Sequence, residues 1–471
     1  MSFYIDLFLQ YLMINKNPKT QFEFPYTMNT ILIVGAGLSS TSLIEYLLKH
    51  AEENLWQVRL ADMSLELAES KIKQHAHGYA FKFDVFDKEE RANEVEKADL
   101  VISMLPPPMH PMLARECVKQ TKHFISPSYI TPEMQILHKK AKTKGVLLMN
   151  ELGVDPGIDH MSAMKIIDEI KAKGGELLSF KSYCGGILAP SCSTNIWQYK
   201  FTWNPRNVVT AGKGVATYKE KGQYKYRPYQ QVFAHPLETS MPEYGDFEVY
   251  PNRDSLSYRN LYHIESIPSI LRGTMRRPGF CQAWNAFVSL GCTDESYVMR
   301  DSENLTYVEY IESFLPHNER SVEERFADCI GVSVSDPILE KFRWLDLFSD
   351  KKVGVKEGTP ALILQKILEE KWTLDPDDKD LLVMQHQFVY TLNGQQKRIT
   401  SSMSYEGKDQ QHTAMAYTVG LPMAIVAKLI LQSKINLTGV QIPIAAQIYE
   451  PVLKELERLG VYFTETIEDC E

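Results

Sequence analysis

The amino-acid sequence predicts an α/β protein with a doubly wound parallel sheet on its N-terminal side, followed by an α+β domain with a helical insertion. Short apolar runs such as TILIV (residues 30–34) alternate with segments of helical periodicity as far as Asn150, which is typical of parallel βαβ units. The pattern then changes to longer turns with many aromatic residues. A length of 471 residues allows two or three domains of ordinary size.

The first domain is expected to span residues 28–154. Strands are predicted at TILIV, in WQVRLAD as far as Asp62, and in ADLVISM, HFISPS and GVLLMN, with helical segments between them. Residues 1–27 precede the first strand, and we interpret them as an extension without function. The segment at about 412–471, which contains the apolar run AMAYTVGLPMAIVAKLILQ, is expected to complete this domain.

The second domain is predicted to be a mixed sheet formed by residues 155–278 and 352–411. Helical runs between these two parts predict a helical subdomain at 279–351. Asn393-Gly394 separates two segments of strand character and is a strong signal for a β-hairpin.

The composition excludes several classes of function. A net charge of -9 argues against nucleic acid or an anionic membrane as the main partner. The seven cysteines include no CxxC pair and no zinc-type spacing, which favours reduced thiols in the cytoplasm. No run approaches the roughly 20 apolar residues of a membrane-spanning helix. We therefore expect a cytoplasmic protein that uses neither a membrane nor nucleic acid.

A glycine-rich turn follows the first strand directly. The segment is Gly35-Ala36-Gly37-Leu38-Ser39-Ser40, a G-x-G-x-x-S variant of the dinucleotide-binding fingerprint of Rossmann-type folds. The first glycine permits a tight turn, the second lets the cofactor pyrophosphate approach the backbone, and serine is small enough for the third position. The alternative is a turn with a structural role only.

Asp62 ends the second strand about twenty residues beyond this turn. A carboxylate there accepts hydrogen bonds from the adenosine ribose and repels a 2′-phosphate, so we expect NAD rather than NADP. Arg59 should point elsewhere by strand alternation, and no arginine follows Asp62 closely. The alternative is a solvated aspartate without a ligand.

The segment ELGVDPGIDH (residues 151–160) places three carboxylates and a histidine beside an apolar helix. One interpretation is structural, with Asp155 as the N-cap and Pro156 at the first helical position. A metal site would need ligands from a second segment, and none is visible, so no metal is expected. Asp155 also follows the last strand of the nucleotide domain, where strand ends meet the cofactor crevice.

Two arginines lie in turn-like sequences, Arg253 in YPNRDS and Arg276 in LRGTMRR. Arginine binds carboxylates with two parallel donors, so the pair suits a substrate with several carboxylates. Solvation at the surface is the alternative for each.

These motifs together resemble the saccharopine dehydrogenases of the glutamate-forming type. The segments SPSYITPEM, NELGVDPGIDHMSAM, SYCGGILAPS, YKFTWNPRNVV, YPNRDS, LRGTMRRPGF and TVGLPMAIVAKLIL occur in the order expected of that family, from Met28 to the end. The resemblance implies a Rossmann domain, a mixed-sheet domain for substrate and dimerisation, and a helical insertion. It also implies a homodimer and the oxidation of saccharopine with water to L-glutamate and L-α-aminoadipate 6-semialdehyde. Fungal biosynthetic members of the family use NADP, but Asp62 makes this chain resemble the NAD-using members of lysine degradation, so we expect an NAD-dependent enzyme.

The resemblance implies roles for single residues. Expected cofactor contacts are Gly35, Gly37, Leu38, Ser39, Ser40, Asp62, Asp84, Val85, Leu105, Ser128, Val154, Pro156 and Asn204. Expected substrate contacts are Ser128, Tyr129, Asp155, Arg253, Thr274, Met275 and Arg276. Asp155 and Tyr129 are the candidates for assisting removal of the proton from the secondary amine before hydride leaves the substrate.

The family's CGGLPAPE loop departs here to CGGILAPS, with Leu188 and Ser191 at the changed positions. Two alternatives follow: a related secondary-amine dehydrogenase acting on a carboxylated polyamine, and an NAD-binding regulator without turnover. The lysine-ketoglutarate reductase half of the animal bifunctional enzyme is not found in this sequence, so a separate reductase is expected to supply saccharopine.

Overall fold

The computed structural model describes residues 28–192 and 195–470, so the predicted extension at 1–27 lies outside the described residues. Its strands are β1 (Asn29–Val34), β2 (Trp56–Asp62), β3 (Gly78–Lys82), β4 (Leu100–Ser103), β5 (His123–Ile125), β6 (Leu147–Met149), β7 (Glu176–Leu188), β8 (Val215–Glu220), β9 (Gln223–Pro228), β10 (Leu237–Met241), β11 (Gly245–Pro251), β12 (Ser269–Arg276), β13 (Asp380–Leu392), β14 (Gln395–Glu406), β15 (Gly439–Gln441) and β16 (Thr464–Asp469).

Its α-helices are α1 (Thr41–Lys49), α2 (Ala51–Asn54), α3 (Leu65–Ile72), α4 (Lys88–Lys97), α5 (His110–Gln120), α6 (Pro132–Gln135), α7 (His138–Thr143), α8 (Ile158–Ala172), α9 (Pro205–Val209), α10 (Tyr229–Val232), α11 (Tyr258–Leu261), α12 (Phe280–Leu290), α13 (Tyr307–Glu312), α14 (Val322–Cys329), α15 (Leu339–Trp344), α16 (Pro360–Trp372), α17 (Ala414–Leu431) and α18 (Ala446–Arg458).

The first sheet has the order β3-β2-β1-β4-β5-β6-β15, and its strand pairs are parallel. The run 3-2-1-4-5-6 is the strand order of the Rossmann fold, so the predicted doubly wound sheet is confirmed. The prediction missed β3, because GYAFK lies at the sheet edge with half-exposed residues and carries only a weak strand pattern. The central strands β1 and β4 are buried on both faces, which explains their continuous apolar runs.

The C-terminal region contributes to both sheets. β15 extends the first sheet beside β6, whereas β16 pairs with β14 in the second sheet. The prediction that all of 412–471 completes the first domain therefore differs from the structure, because TETIED is an exposed polar strand whose backbone extends the other sheet.

The apolar helix α17 packs against α1, the helix that follows the glycine turn. It is long and apolar enough to cross a membrane, with a mean hydropathy of 1.8, but 72% of it is buried inside the protein. Gly420 makes the contact: a Cβ atom there would lie 2.7 Å from the backbone nitrogen of Leu43. Glycine thus allows the two helix backbones to approach closely.

The second sheet is mixed, with the order β10-β11-β12-β7-β13-β14-β16, and β8 and β9 attach beside β12. β12 and β7 run parallel, and the other pairs along this order are antiparallel. The predicted hairpin is confirmed: Asn393 and Gly394 join β13 to β14 with φ angles of 51° and 78°, as a type I′ turn requires.

The helical subdomain packs around aromatic side chains. Phe287 on α12 stacks on Trp197 from the preceding loop region and packs edge-on against Trp284 of the same helix. Trp372 at the end of α16 stacks on Trp284. The predicted limits of 279–351 are therefore too narrow, because α16 and residues near Trp197 share this core. Sequence periodicity identifies helices but does not show which core they join.

Replacing Gly420 by alanine is expected to destabilise the protein by about 1–3 kcal/mol. In an exposed helix the same change stabilises by roughly 1 kcal/mol, but here the methyl group would displace the α1 backbone. Urea unfolding of G420A and wild type measures the difference, with Lys428→Ala on the same helix as control. A G420A variant as stable as wild type would contradict the close contact.

Candidate active site

The predicted cofactor residues of the first domain share one edge of its sheet. The glycine turn follows β1, Asp62 ends β2, Asp84 and Val85 follow β3, and Leu105 follows β4. Further along the same edge, Ser128 and Tyr129 follow β5, and Val154, Asp155 and Pro156 follow β6. The carboxyl ends of parallel strands lie on one side, where ligands of open α/β sheets bind.

The glycine turn has the geometry of a phosphate cradle. Gly35 has φ +108°, and a Cβ atom there would lie 3.0 Å from the Met104 backbone. Gly37 is exposed and has open space above it, with nothing within 4 Å of a Cβ position. The backbone amides of Gly37, Leu38 and Ser39 meet no acceptor within the described residues and precede α1, so they are available to an anion.

Ser40 fills the position of the third fingerprint glycine. Its side chain is fully buried, and its hydroxyl donates a 2.8 Å hydrogen bond to the carbonyl of Gly37. The residue therefore closes the turn from inside, which agrees with the packing role expected for a small side chain.

Asp62 anchors the glycine turn through its carboxylate. One oxygen accepts a 2.7 Å hydrogen bond from the Ala36 amide, and the other accepts one of 2.9 Å from the Ser64 amide. Arg59 points away, as strand alternation predicts, and pairs with Glu94 at 2.5 Å. The carboxylate thus has a structural task whichever nucleotide binds.

The other predicted cofactor residues take less direct positions. Asp84 accepts a hydrogen bond from the Phe86 amide, Val85 is buried, and Leu105 packs into the core on that side of the sheet. Asn204 comes from the second domain and caps α9 by accepting from the amides of Arg206 and Asn207. Its neighbours Trp203 and Pro205 line a groove of about 370 Å³ together with Leu38 of the glycine turn.

A buried histidine holds Ser128. His110 lies 2.8 Å from the Ser103 hydroxyl through Nδ1 and 2.8 Å from the Ser128 hydroxyl through Nε2. Burial lowers the pKa of His110 to about 4, so the ring is neutral and can donate from one nitrogen and accept at the other.

Asp155 lies where the two domains meet. The Tyr129 hydroxyl donates to it at 3.3 Å, and the Arg272 guanidinium on β12 donates to it at 2.5 Å. Arg272 also donates to Asp159 at 2.7 Å and stacks over the Tyr258 ring at 4.2 Å. Asp155 retains 17% side-chain exposure, whereas Arg272 retains 4% and Asp159 1%. Of these three charged side chains, Asp155 is therefore the one that a ligand can reach.

The N-cap interpretation of Asp155 is wrong. The helix α8 begins at Ile158, its N-cap residue is Gly157, and the Gly157 amide is bound by the Asp159 carboxylate at 2.6 Å. The Asp155 side chain is free of the helix terminus, which allows it to face the site. Burial and the nearby Asp159 raise its pKa, while Arg272 opposes the rise.

A second buried pair supports this cluster. His160 lies 2.9 Å from the Glu151 carboxylate and 2.6 Å from the Tyr262 hydroxyl. Burial by itself would lower the pKa of His160, but Asp159 and Glu151 raise it.

Over residues 28–192 and 195–470, no three His, Cys, Asp or Glu side chains are grouped as metal ligands.

The substrate residues predicted on β12 divide between the two faces of the strand. Arg272, Thr274 and Arg276 share the face toward Asp155, whereas the Met275 side chain is buried in the hydrophobic cluster on the other face. Met275 therefore offers the site only its backbone, and its oxygen accepts from Arg276.

Arg276 is a buried cation among aromatic rings. Its side chain is 5% exposed and lies over Tyr199 at 4.8 Å and Phe280 at 5.3 Å. No Asp or Glu within the described residues pairs with it, and its Nε has no hydrogen-bond partner there. Arg253 is exposed and stacks over the Tyr129 ring at 5.2 Å, so it borders the same space.

Sequence reasoning missed Arg272, His110 and Cys184. Arg272 could have been found from strand alternation, because it lies four residues before Arg276 on the same face. Cys184 on β7 is buried and paired with Thr274, and burial raises its pKa well above the usual range. At the two changed positions of the CGGILAPS segment, Leu188 is buried as the last residue of β7, and Ser191 is exposed.

Comparison with known proteins accounts for most of the chain. Residues 31–149 match the family described as saccharopine dehydrogenase NADP binding domain, and residues 153–461 match saccharopine dehydrogenase C-terminal domain. Saccharopine dehydrogenase (NADP(+), L-glutamate-forming) from Pyricularia oryzae is 31% identical over 449 residues, which are 93% of this chain and 99% of that protein.

Two further relatives differ in how much of their own length matches this chain. Mitochondrial alpha-aminoadipic semialdehyde synthase from Bos taurus is 32% identical over 93% of this chain, but the match covers 48% of that protein. The solved structure of apo histidine-tagged saccharopine dehydrogenase (L-Glu forming) from Saccharomyces cerevisiae has a TM-score of 0.84 at 31% identity. It covers 93% of this chain and 100% of that chain.

These matches overturn the expectation of NAD. The fungal relatives carry NADP(+) in their names, and the matching N-terminal family is an NADP binding domain. The error has a physical origin. The expectation of NAD treats Asp62 as a ribose ligand that excludes a 2′-phosphate, whereas its two oxygens accept hydrogen bonds from the amides of Ala36 and Ser64.

The buried His110 is expected to make stability depend on pH. Its folded pKa of about 4 lies below the ordinary value of 6.5, so its contribution is present above pH 6.5 and is lost as pH falls toward 4. Between pH 7 and pH 5, wild type should lose roughly 2 kcal/mol of unfolding free energy relative to His110→Gln. Urea unfolding at both pH values measures this, with the exposed His317→Gln as control; parallel pH dependences of wild type and H110Q would contradict a neutral His110.

Proposed function

Because the chain belongs to the saccharopine dehydrogenase family, we propose that it oxidises saccharopine with NADP⁺ and water to L-glutamate and L-α-aminoadipate 6-semialdehyde. The observation that carries the proposal is that the site contains both a buried arginine without an acidic partner, Arg276 on β12, and a carboxylate that a ligand can reach, Asp155 after β6. A substrate with carboxylates and a secondary ammonium complements both charges.

Arg276 is proposed to bind a substrate carboxylate. A buried guanidinium without an anionic partner is costly, and a bound carboxylate would supply the missing charge and accept its donors. The aromatic rings around it hold the guanidinium in one orientation. Arg253, exposed above Tyr129, is proposed to bind a second carboxylate.

Asp155 is proposed to face the secondary amine of the substrate. With both carboxylates ionised, Asp155 and Asp159 together carry two negative charges against the single positive charge of Arg272. A secondary ammonium beside Asp155 would restore neutrality. Asp155 could then accept its proton, because the amine must be neutral before its carbon is oxidised.

The nucleotide is proposed to lie along the edge of the first sheet. When bound, the nucleotide would supply a nicotinamide ring as the acceptor for a hydride from the ε-carbon of the lysine-derived part of the substrate. The free amides of Gly37, Leu38 and Ser39 would hold the pyrophosphate. Ser128, which is hydrogen-bonded to His110, is next in sequence to Tyr129, which is expected to contact the substrate. The cytoplasmic location, the homodimer and the separate reductase stay predictions.

Purified protein is expected to form NADPH when saccharopine and NADP⁺ are supplied, with a higher kcat/KM for NADP⁺ than for NAD⁺. Absorbance at 340 nm measures the rate, and a carboxylated polyamine tests the related secondary-amine chemistry. Nucleotide binding without turnover of either substrate would favour the regulator. Turnover of the polyamine alone would keep the fold and discard saccharopine as the substrate.

Replacing Arg276 by glutamine is expected to raise KM for saccharopine by about 10- to 100-fold, because a charge-assisted pair with the carboxylate is lost. KM for NADP⁺ should stay near the wild-type value. Arg277→Gln is the matched control, since Arg277 points elsewhere, donating to the Tyr244 carbonyl at 2.5 Å and stacking on Phe247. Equal KM values for R276Q and R277Q would remove Arg276 from the substrate site.

A further inference from the structure

We propose that Asp159 is a positioning residue for the reaction: it holds one side of the Arg272 guanidinium and so keeps Arg272 from pairing fully with Asp155. This inference rests on the proposed function and adds to it the residue that leaves Asp155 able to take the substrate proton. Asp159 itself is 1% exposed and is shielded from any ligand by Arg272 and the start of α8.

The geometry shows a single donor nitrogen divided between two carboxylates. The same nitrogen of Arg272, Nη2, lies 2.5 Å from Asp155 Oδ1 and 2.7 Å from Asp159 Oδ2, with the Tyr129 hydroxyl farther away at 3.4 Å. Its Nε has no partner among the described residues, so the guanidinium does not make the two-pronged contact that would bind one carboxylate most strongly. Arg272 is thus shared between the two acids rather than committed to either.

Asp159 is fixed in this position from its other side. Its Oδ1 accepts the Gly157 amide at 2.6 Å, which turns Oδ2 toward Arg272. An asparagine at 159 could keep the bond to Gly157 only by presenting its NH2 group to the guanidinium, donor against donor. Arg272 would then turn to its remaining carboxylate partner, Asp155.

Several titratable and charged groups face Asp155. They are Tyr129 in the loop after β5, Asp159 and His160 on α8, Cys184 on β7, Tyr250 on β11, Tyr262 directly after α11, and Arg272 on β12. Burial raises the pKa of Asp155 most, Arg272 lowers it, and Asp159 raises it. Removing the Asp159 charge and freeing Arg272 therefore act in the same direction, toward a lower pKa of Asp155.

The pH dependence of kcat/KM for saccharopine tests the proposal. If Asp155 must be ionised to take the proton, activity falls on the acidic side as Asp155 becomes protonated. Asp159→Asn should move this acidic limb to lower pH, because Arg272 then pairs more fully with Asp155 and lowers its pKa. The plateau value of kcat/KM should fall on the order of 10-fold, because Asp155 becomes a weaker base. Asp159→Glu keeps the charge and should keep the limb at the wild-type pH.

Two further variants separate positioning from damage to the fold. Asp168→Asn makes the same chemical change on α8 at a side chain that binds Tyr449, and it should leave the profile unchanged. Arg272→Gln removes the shared cation and should move the limb the opposite way, to higher pH; it also serves if D159N is not recovered folded. Opposite shifts in D159N and R272Q are not expected from a general loss of stability.

Each outcome is informative. A limb that stays at the wild-type pH in D159N, or in R272Q if D159N does not fold, overturns the positioning role of Asp159 while the proposed function stands. A wild-type enzyme without saccharopine turnover overturns the proposed function and this inference with it. A limb that moves equally in D168N would show that carboxylate loss anywhere on α8 has this effect and would also overturn the proposal.

Discussion

One buried guanidinium connects the two halves of this molecule. Arg272 lies on β12 of the second sheet, whereas its partners Asp155 and Asp159 follow β6 of the first sheet. Removing one partner from a buried ion pair typically costs about 3–5 kcal/mol, because the other charge is left without compensation. The contact therefore sets where the two sheets meet, and it places the reachable carboxylate, Asp155, at that junction.

The remaining parts of the site follow from this junction. On one side lies the carboxyl edge of the parallel sheet, with the free amides of the glycine turn. On the other side lies the face of β12 that carries Arg272, Thr274 and Arg276. A nucleotide held by the first side and a substrate carboxylate held by Arg276 would meet beside Asp155. The close packing of α17 at Gly420 fixes α1, the helix that follows the glycine turn.

The expectation of NAD was wrong although the sequence pattern behind it, an acidic residue at the end of β2, is present. Asp62 stands where a nucleotide-binding acid is expected, at the end of β2. Its carboxylate already binds the amides of Ala36 and Ser64, so the turn explains why an aspartate is present, and the residue does not identify the ribose substituent. A side chain that binds backbone and one that binds ligand look identical in a sequence, because both need the same oxygen atoms.

The sequence by itself determined the features that depend on neighbours along the chain. Alternating apolar runs and helical periodicity defined the Rossmann sheet, Gly35 and Gly37 marked the turn, and Asn393-Gly394 marked the hairpin. Tertiary structure decided whatever required residues distant in the chain to meet. It placed Arg272 between Asp155 and Asp159, His110 against Ser128, Trp372 in the helical core and β16 in the second sheet. The physical reason is that periodicity records which face of an element is apolar, whereas the partner of a buried charge or of an exposed strand edge is chosen by the packing of whole elements.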